Sequence, residues 1–186
     1  KVTPFKARFS FENLTNSIEH KIKCPENIVF FHEQNVKLKA EITALKQLIP
    51  IVKKLKSQNK KIVTTNGVFD ILHLGHVRYL EKAKKLGDVL IVGVNSDASV
   101  RKIKGTRRPI NDEKSRIGVL AALESVDYVF LFNEKSPIIW LSKLKPKIHV
   151  KAGDYKLNQI IEKNVVEKNG GKIIIANMLK SYSTTD

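Results

Sequence analysis

Two histidines three residues apart, His73 and His76, close the segment Thr65-Asn66-Gly67-Val68-Phe69-Asp70-Ile71-Leu72-His73-Leu74-Gly75-His76. A β-branched run ends at its start and a helical period begins at its end, so it reads as strand, tight loop and helix start. That is a place for a phosphate. The exposed N–H groups and positive dipole end of a helix N-terminus favour an anion, and Gly67 and Gly75 let the backbone approach without a Cβ in the way. At this spacing both imidazoles project to one side and can donate to the same phosphate group. A bound triphosphate would favour their charged, doubly donating form. Asp70 lies close to the same phosphates. Orienting a histidine, binding a substrate hydroxyl or helping to hold Mg²⁺ would each account for it. A structural zinc needs about four ligands, and no Cys or His cluster supplies the rest.

Other segments offer chemistry with less specificity. Lys104 precedes the flexible Gly105-Thr106 turn and can reach a triphosphate as a mobile cation, or be one solvated lysine among many. Arg116 offers a fork for phosphate oxygens, or an ordinary ion pair with Asp112 or Glu113. Lys151-Ala152-Gly153-Asp154-Tyr155 follows a buried strand. Gly153 permits a turn there and Asp154 can accept hydrogen bonds from sugar hydroxyls, or serve only a strand-ending turn.

The segment around His73-Leu74-Gly75-His76 resembles the His-x-Gly-His motif of the nucleotidyltransferase superfamily. The resemblance runs from Lys61 to Thr185, about two-thirds of the chain. It also rests on Val92-Gly93-Val94-Asn95-Ser96-Asp97, Lys102-Ile103-Lys104-Gly105, Arg108-Pro109-Ile110-Asn111, Val150 to Tyr155 and Ser183-Thr184-Thr185. These are similar to the adenylyltransferases that activate D-glycero-β-D-manno-heptose 1-phosphate, with glycerol-3-phosphate cytidylyltransferase as a better-known relative. The resemblance implies AMP transfer from ATP, with Mg²⁺, to a sugar 1-phosphate, giving ADP-heptose and pyrophosphate for lipopolysaccharide or another surface glycan. No covalent intermediate is implied, because the acceptor's own phosphate oxygen attacks. It implies His73, His76 and Lys104 as catalytic groups. Asn66, Gly67, Phe69, Gly75, Arg116, Ser183, Thr184 and Thr185 would bind nucleotide, and Asp70, Lys151, Gly153 and Asp154 the acceptor. The resemblance leaves the metal ligands unassigned, and it implies a homo-oligomer. Ser181 departs from the pattern, standing where many relatives carry glycine. The alternative within the class is a cytidylyltransferase acting on glycerol 3-phosphate or another phospho-alcohol.

The elements that position these residues follow from periodicity. Strands are expected at Lys61–Thr65, Val89–Val94, Tyr128–Leu131, Ile148–Lys151 and Lys172–Ala176. Helices are expected at His76–Leu86, after Asp97, and at Asp112–Leu123, Pro137–Leu144 and Leu157–Lys168. Gly87 stands where a left-handed cap is wanted, and Asn111 and Ser136 at N-cap positions. The rhythm predicts an α/β fold, an open parallel five-stranded sheet with helices on both faces, and ligands at the carboxyl ends of the strands. Three regions are expected: an N-terminal extension over 1–35, a helical lead-in over 36–60 that ends or restarts at Pro50, and the nucleotidyltransferase domain over 61–186.

The 34 basic and 18 acidic residues give +16, which favours polyanionic partners without choosing among them. Nucleic acid is not expected as a partner: aromatics are 7% of the chain, and no basic patch interleaved with stacking residues occurs. Neither Gly-x-Gly-x-x-Gly nor a P-loop follows the first strand, which argues against a dehydrogenase or a P-loop NTPase. A catalytically silent homologue is disfavoured by the retained His73, His76 and Lys104. A single cysteine, Cys24, excludes an internal disulfide and fits a reducing, cytoplasmic setting. No apolar run is long enough to span a membrane, and no secretory signal is read at the N-terminus.

Overall fold

The structure is a computed structural model that describes residues 40–153 and 159–176. The chain divides into two units, and every described residue belongs to the second, Leu38–Asp186. In chain order its elements are β1 (Glu41–Ile42), α1 (Leu45–Ser57), β2 (Ile62–Gly67), α2 (Leu74–Lys84), β3 (Val89–Asn95) and α3 (Asp97–Lys104). They continue with α4 (Glu113–Ala121), β4 (Tyr128–Phe132), α5 (Ile138–Leu144), β5 (Ile148–Ala152), α6 (Lys163–Lys168) and β6 (Lys172–Ala176). The strands form one parallel sheet in the order β1-β4-β3-β2-β5-β6. No helix among the described residues is long and apolar enough to cross a membrane.

Strand alternation sorts the core into two layers. On one face Val63, Leu90, Val92, Val94, Val129 and Val150 pack with Tyr79, Leu80 and Ala83 of α2 and with Leu120 and Ala121 of α4. On the other, Ile62, Ile91, Phe130 and Phe132 pack with Leu48 and Val52 of α1, Trp140, Leu141 and Leu144 of α5, and Val166 of α6. All seven residues of β3 are buried, which is why it reads as a nearly unbroken apolar run. Order matters more than count for function. β2 pairs with β3 on one side and β5 on the other, so the chain winds outward in opposite directions from the β2–β5 seam. In such a sheet the crevice opens at that seam, beyond the carboxyl ends of the strands.

The sheet has six strands where five were expected. The sixth, β1, is only two residues long, too short to show a period of two, and lies in the stretch expected to be helical. The lead-in therefore contributes both an edge strand and a helix. Pro50 neither ends nor restarts that helix; it sits inside α1. A proline removes one backbone bond at about 3 kcal/mol, whereas burying Leu48 and Val52 contributes about 1.5 to 3 kcal/mol each, enough to carry the helix through. Capping differs too. Asp112, one residue past Asn111, accepts from the Ser115 N–H to cap α4, and Pro137 rather than Ser136 is the N-cap of α5. Gly87 is required by space rather than by a left-handed turn: a Cβ there would lie 2.6 Å from Val63 Cγ2 and 2.7 Å from the Lys61 carbonyl oxygen.

One buried group is charged only at a cost. His149 on β5 is fully enclosed, with Nδ1 bonded to Thr64 Oγ1 at 2.9 Å, Nε2 without a partner, and the Trp140 ring 5.9 Å away. Burial, reinforced by Lys151 and opposed by the Thr64 bond, pushes its pKa down from 6.5 to about 3.

Two outcomes follow for stability. Gly87→Ala should destabilise by about 1 to 3 kcal/mol in urea unfolding, since the added carbon meets backbone as well as side chain. For His149 the folded pKa lies below the unfolded one, so its contribution is complete above pH 6.5 and declines as pH falls toward 3. Melting temperature should drop across that window, and less steeply in His149→Val.

Candidate active site

The carboxyl end of β2 opens into the loop 68–73, whose path depends on two residues. Phe69 has φ +49, unusual for a bulky side chain, and its ring is buried. Gly67 makes room for it, since a Cβ at that position would stand 3.0 Å from Phe69 Cε2. The ring meets the His76 imidazole edge-on at 5.5 Å and 62°. A buried aromatic thus supports one wall of the histidine site.

His73 is the N-cap of α2 and His76 its third residue. Their rings lie 4.0 Å apart. The Gly75 N–H donates to His73 Nδ1 at 3.1 Å, and the His73 N–H donates to His76 Nδ1 at 3.4 Å. With each Nδ1 used as an acceptor, a neutral imidazole carries its proton on Nε2, and both Nε2–H groups remain to donate to a ligand. Burial, then His73, then Lys104 push the His76 pKa down to about 4. The unliganded protein therefore holds His76 neutral, and the donor pair exists before any phosphate arrives. Lys104, exposed at the last residue of α3, is thus within electrostatic reach of His76.

Two expected ligand residues have other work. Arg116 is fully buried: Nε donates to the Asn111 carbonyl at 3.1 Å, Nη1 to the Val68 carbonyl at 2.6 Å, and Nη2 to the Asn95 carbonyl at 2.8 Å and Asp97 Oδ1 at 2.7 Å. It cannot also fork onto a nucleotide phosphate, and its ion pair is with Asp97 rather than Asp112 or Glu113. The loop after β2, the last residue of β3 and the approach to α4 each present a carbonyl in need of a donor, and one guanidinium satisfies all three. Asp70, expected to meet the acceptor, turns its carboxylate to Arg108 Nη1 at 2.7 Å and to the Ile110 and Asn111 N–H groups at 2.8 and 3.0 Å. Burial would raise its pKa, but the bonds from Asn111, Arg108 and Ile110 outweigh that and hold it below the usual carboxylate value. Both residues fasten the 108–112 segment to the loop that carries the histidines.

Across the seam, Lys151 Nζ donates to Glu162 Oε1 at 2.8 Å and to Asn66 Oδ1 at 3.5 Å. Asn66 and Lys151 are thereby brought together from β2 and β5. Glu162 was not anticipated, and Arg108 and Asp97 stood in the quoted segments without an assigned role, because only a tertiary partner gives each of these charges meaning. Gly153 has φ +113 just beyond β5, a conformation that a side chain would strain, so the turn expected there is present. Gly75 is buried in the first turn of α2. Asp154, Ser183, Thr184 and Thr185 lie outside the described residues. Among the described residues no group of three or more His, Cys, Asp or Glu is placed to hold a metal.

Arg116→Ala should therefore cost about 3 to 5 kcal/mol in chemical unfolding, as expected when a buried charge pair loses one partner. A nucleotide ligand alone would lose affinity and leave the unfolding midpoint in place.

Residues 64–186 match the family model described as cytidylyltransferase-like. Among curated relatives, the bifunctional protein HldE of Geobacter metallireducens is 48% identical over 147 residues, 79% of this chain and 30% of the relative. HldE of Campylobacter jejuni subsp. doylei is 51% identical over 136 residues, 73% of this chain and 28% of the relative. The chain thus spans under a third of the curated relatives it matches. A solved structure, the lipopolysaccharide core biosynthesis protein of Thermoplasma volcanium, superposes with a TM-score of 0.55 at 36% identity, covering 66% of this chain and 99% of that one. Pantoate-beta-alanine ligase of Francisella tularensis, in complex with beta-gamma ATP and beta-alanine, shares the fold with a TM-score of 0.57 at 21% identity, covering 76% of this chain and 68% of that one. With the histidine pair at the head of α2 beside the sheet's switch point, and this match over most of the chain, the protein belongs to the cytidylyltransferase-like family of nucleotidyltransferases.

Proposed function

We propose that the protein transfers AMP from ATP to a sugar 1-phosphate, with D-glycero-β-D-manno-heptose 1-phosphate as the acceptor, giving ADP-heptose and pyrophosphate. The observation that carries the reading is the pair of Nε2 donors preset on His73 and His76 at the N-terminus of α2. In the proposed step an oxygen of the acceptor phosphate attacks the α-phosphorus, the bond to the β-phosphate bridging oxygen breaks, and pyrophosphate departs with that oxygen's electrons. The two imidazoles donate to non-bridging α-phosphoryl oxygens as charge builds on them, and Lys104 neutralises charge on the departing side. No proton need leave the acceptor, since its phosphate is already an anion. The choice of a heptose acceptor draws on the resemblance in Gly153-Asp154-Tyr155 and Ser183-Thr184-Thr185, the HldE relatives, and the lipopolysaccharide core biosynthesis protein among similar structures.

Mg²⁺ is part of the proposal as the ion that accompanies the triphosphate. Asp70 is engaged by Arg108 and backbone N–H groups, so the donors suit an ion carried mainly by phosphate oxygens and water rather than by a protein cage. A homo-oligomer remains part of the proposal on the resemblance alone.

Pyrophosphate release with Mg²⁺ tests the reading when ATP and CTP are each paired with heptose 1-phosphate and with glycerol 3-phosphate. Release with ATP plus heptose 1-phosphate is expected; release only with CTP plus glycerol 3-phosphate would keep the mechanism and overturn the substrates. His76→Ala should lower kcat by about 10²- to 10³-fold, the effect of losing one transition-state donor, with the fold retained and the melting temperature lowered only by the loss of one capping bond. Near-wild-type kcat in that variant would remove His76 from the mechanism.

A further inference from the structure

We infer that Glu162 is a positioning residue for Lys151: its buried carboxylate holds the lysine ammonium at the mouth of the β2–β5 crevice, where it receives the phosphate of the acceptor. Glu162 is 4% exposed, and carboxylates are almost never buried so completely unless paired. Its partner is Lys151 at 2.8 Å, whose side chain is itself mostly buried. An unrestrained lysine carries its ammonium outward on a flexible stem into water. Here the residue just before α6 anchors it from one side, while Asn66 at the end of β2 holds it from the other at 3.5 Å. Among the described residues these partners account for two of the three ammonium N–H groups. The third N–H has no partner among the described residues and can meet a ligand in the crevice.

The site also has the right division of charge. Lys104 stands on the α3 side, with the histidine donors of α2, and Lys151 stands across the seam on β5. Two phosphate-bearing molecules must meet in line, and two cations on opposite sides let each be neutralised separately. Lys151 is then the cation of the acceptor, and Glu162 limits where it can stand. The pairing also keeps the seam from accumulating uncompensated positive charge in a chain of net charge +16.

This inference rests on the proposed transferase reading, and the test separates the two. With ATP saturating and heptose 1-phosphate varied, Glu162→Gln should raise the acceptor KM about tenfold while kcat and the ATP KM stay within about twofold, because binding geometry is lost and the α-phosphate donors are not. Glu162→Asp, which keeps the charge on a shorter arm, should fall between. Lys151→Ala should raise the acceptor KM at least as far, and adding Glu162→Gln to it should change nothing further. A merely structural glutamate would act equally in the Lys151→Ala background. That result, or an unchanged acceptor KM in Glu162→Gln, overturns the inference while leaving the transferase reading intact. Wild-type protein that releases no pyrophosphate with any acceptor overturns both. Thermal melting of each variant separates loss of fold from loss of positioning.

Discussion

The Arg116 guanidinium ties together segments far apart in sequence. It donates to the loop after β2, to the last residue of β3, to the first residue of α3 and to the approach to α4. Those segments form one rim of the crevice at the carboxyl end of the sheet. Parallel strands deliver their loops to the same edge but do not order them against one another; buried hydrogen bonds do that. Asp70 completes the arrangement from the histidine loop, through Arg108 and two backbone N–H groups. A positive group buried at the base of the site thus serves architecture, leaving the more exposed cations to meet substrates.

On that frame the histidine pair is prepared by local chemistry. Gly75 and His73 backbone N–H groups, which a helix N-terminus leaves without helical partners, are satisfied by imidazole Nδ1 atoms. One set of bonds caps the helix, selects the tautomer and leaves two Nε2–H donors. Burial, His73 and Lys104 keep His76 neutral without a ligand, so an incoming phosphate finds a dipolar donor already oriented. Preset donors need little reorganisation as charge develops, which is where electrostatic catalysis gains most.

The residues that act through local geometry were legible in the sequence. The strand–loop–helix pattern around Gly67 and Gly75 stands where it was expected, because glycine, strand end and helix start are all read within a dozen residues. The parallel sheet was legible for the same reason: each buried strand is a compact β-branched run. β1 was not, since two residues carry no period, and Pro50 misled because the burial of Leu48 and Val52 outweighs its local penalty. Gly87 was placed correctly and explained wrongly; its constraint is the approach of Lys61 and Val63 across space. Arg116 and Asp70 were read as ligand groups because nearness to a phosphate loop is visible in sequence, whereas carbonyls and N–H groups converging from other elements are not. Glu162 had no local signal at all, and its burial against Lys151 appears only when the residue before α6 is brought against the end of β5.

In the proposed reaction the α-phosphate of the triphosphate lies between the Nε2 atoms of His73 and His76. A crystal structure with a non-hydrolysable ATP analogue bridged at the α–β bond, grown with Mg²⁺, tests it most directly. The expected result is α-phosphoryl oxygens about 3 Å from both Nε2 atoms, with the loop anchored by Asp70 and Arg116 unmoved. A triphosphate bound at the seam with neither imidazole on its α-phosphate would contradict it.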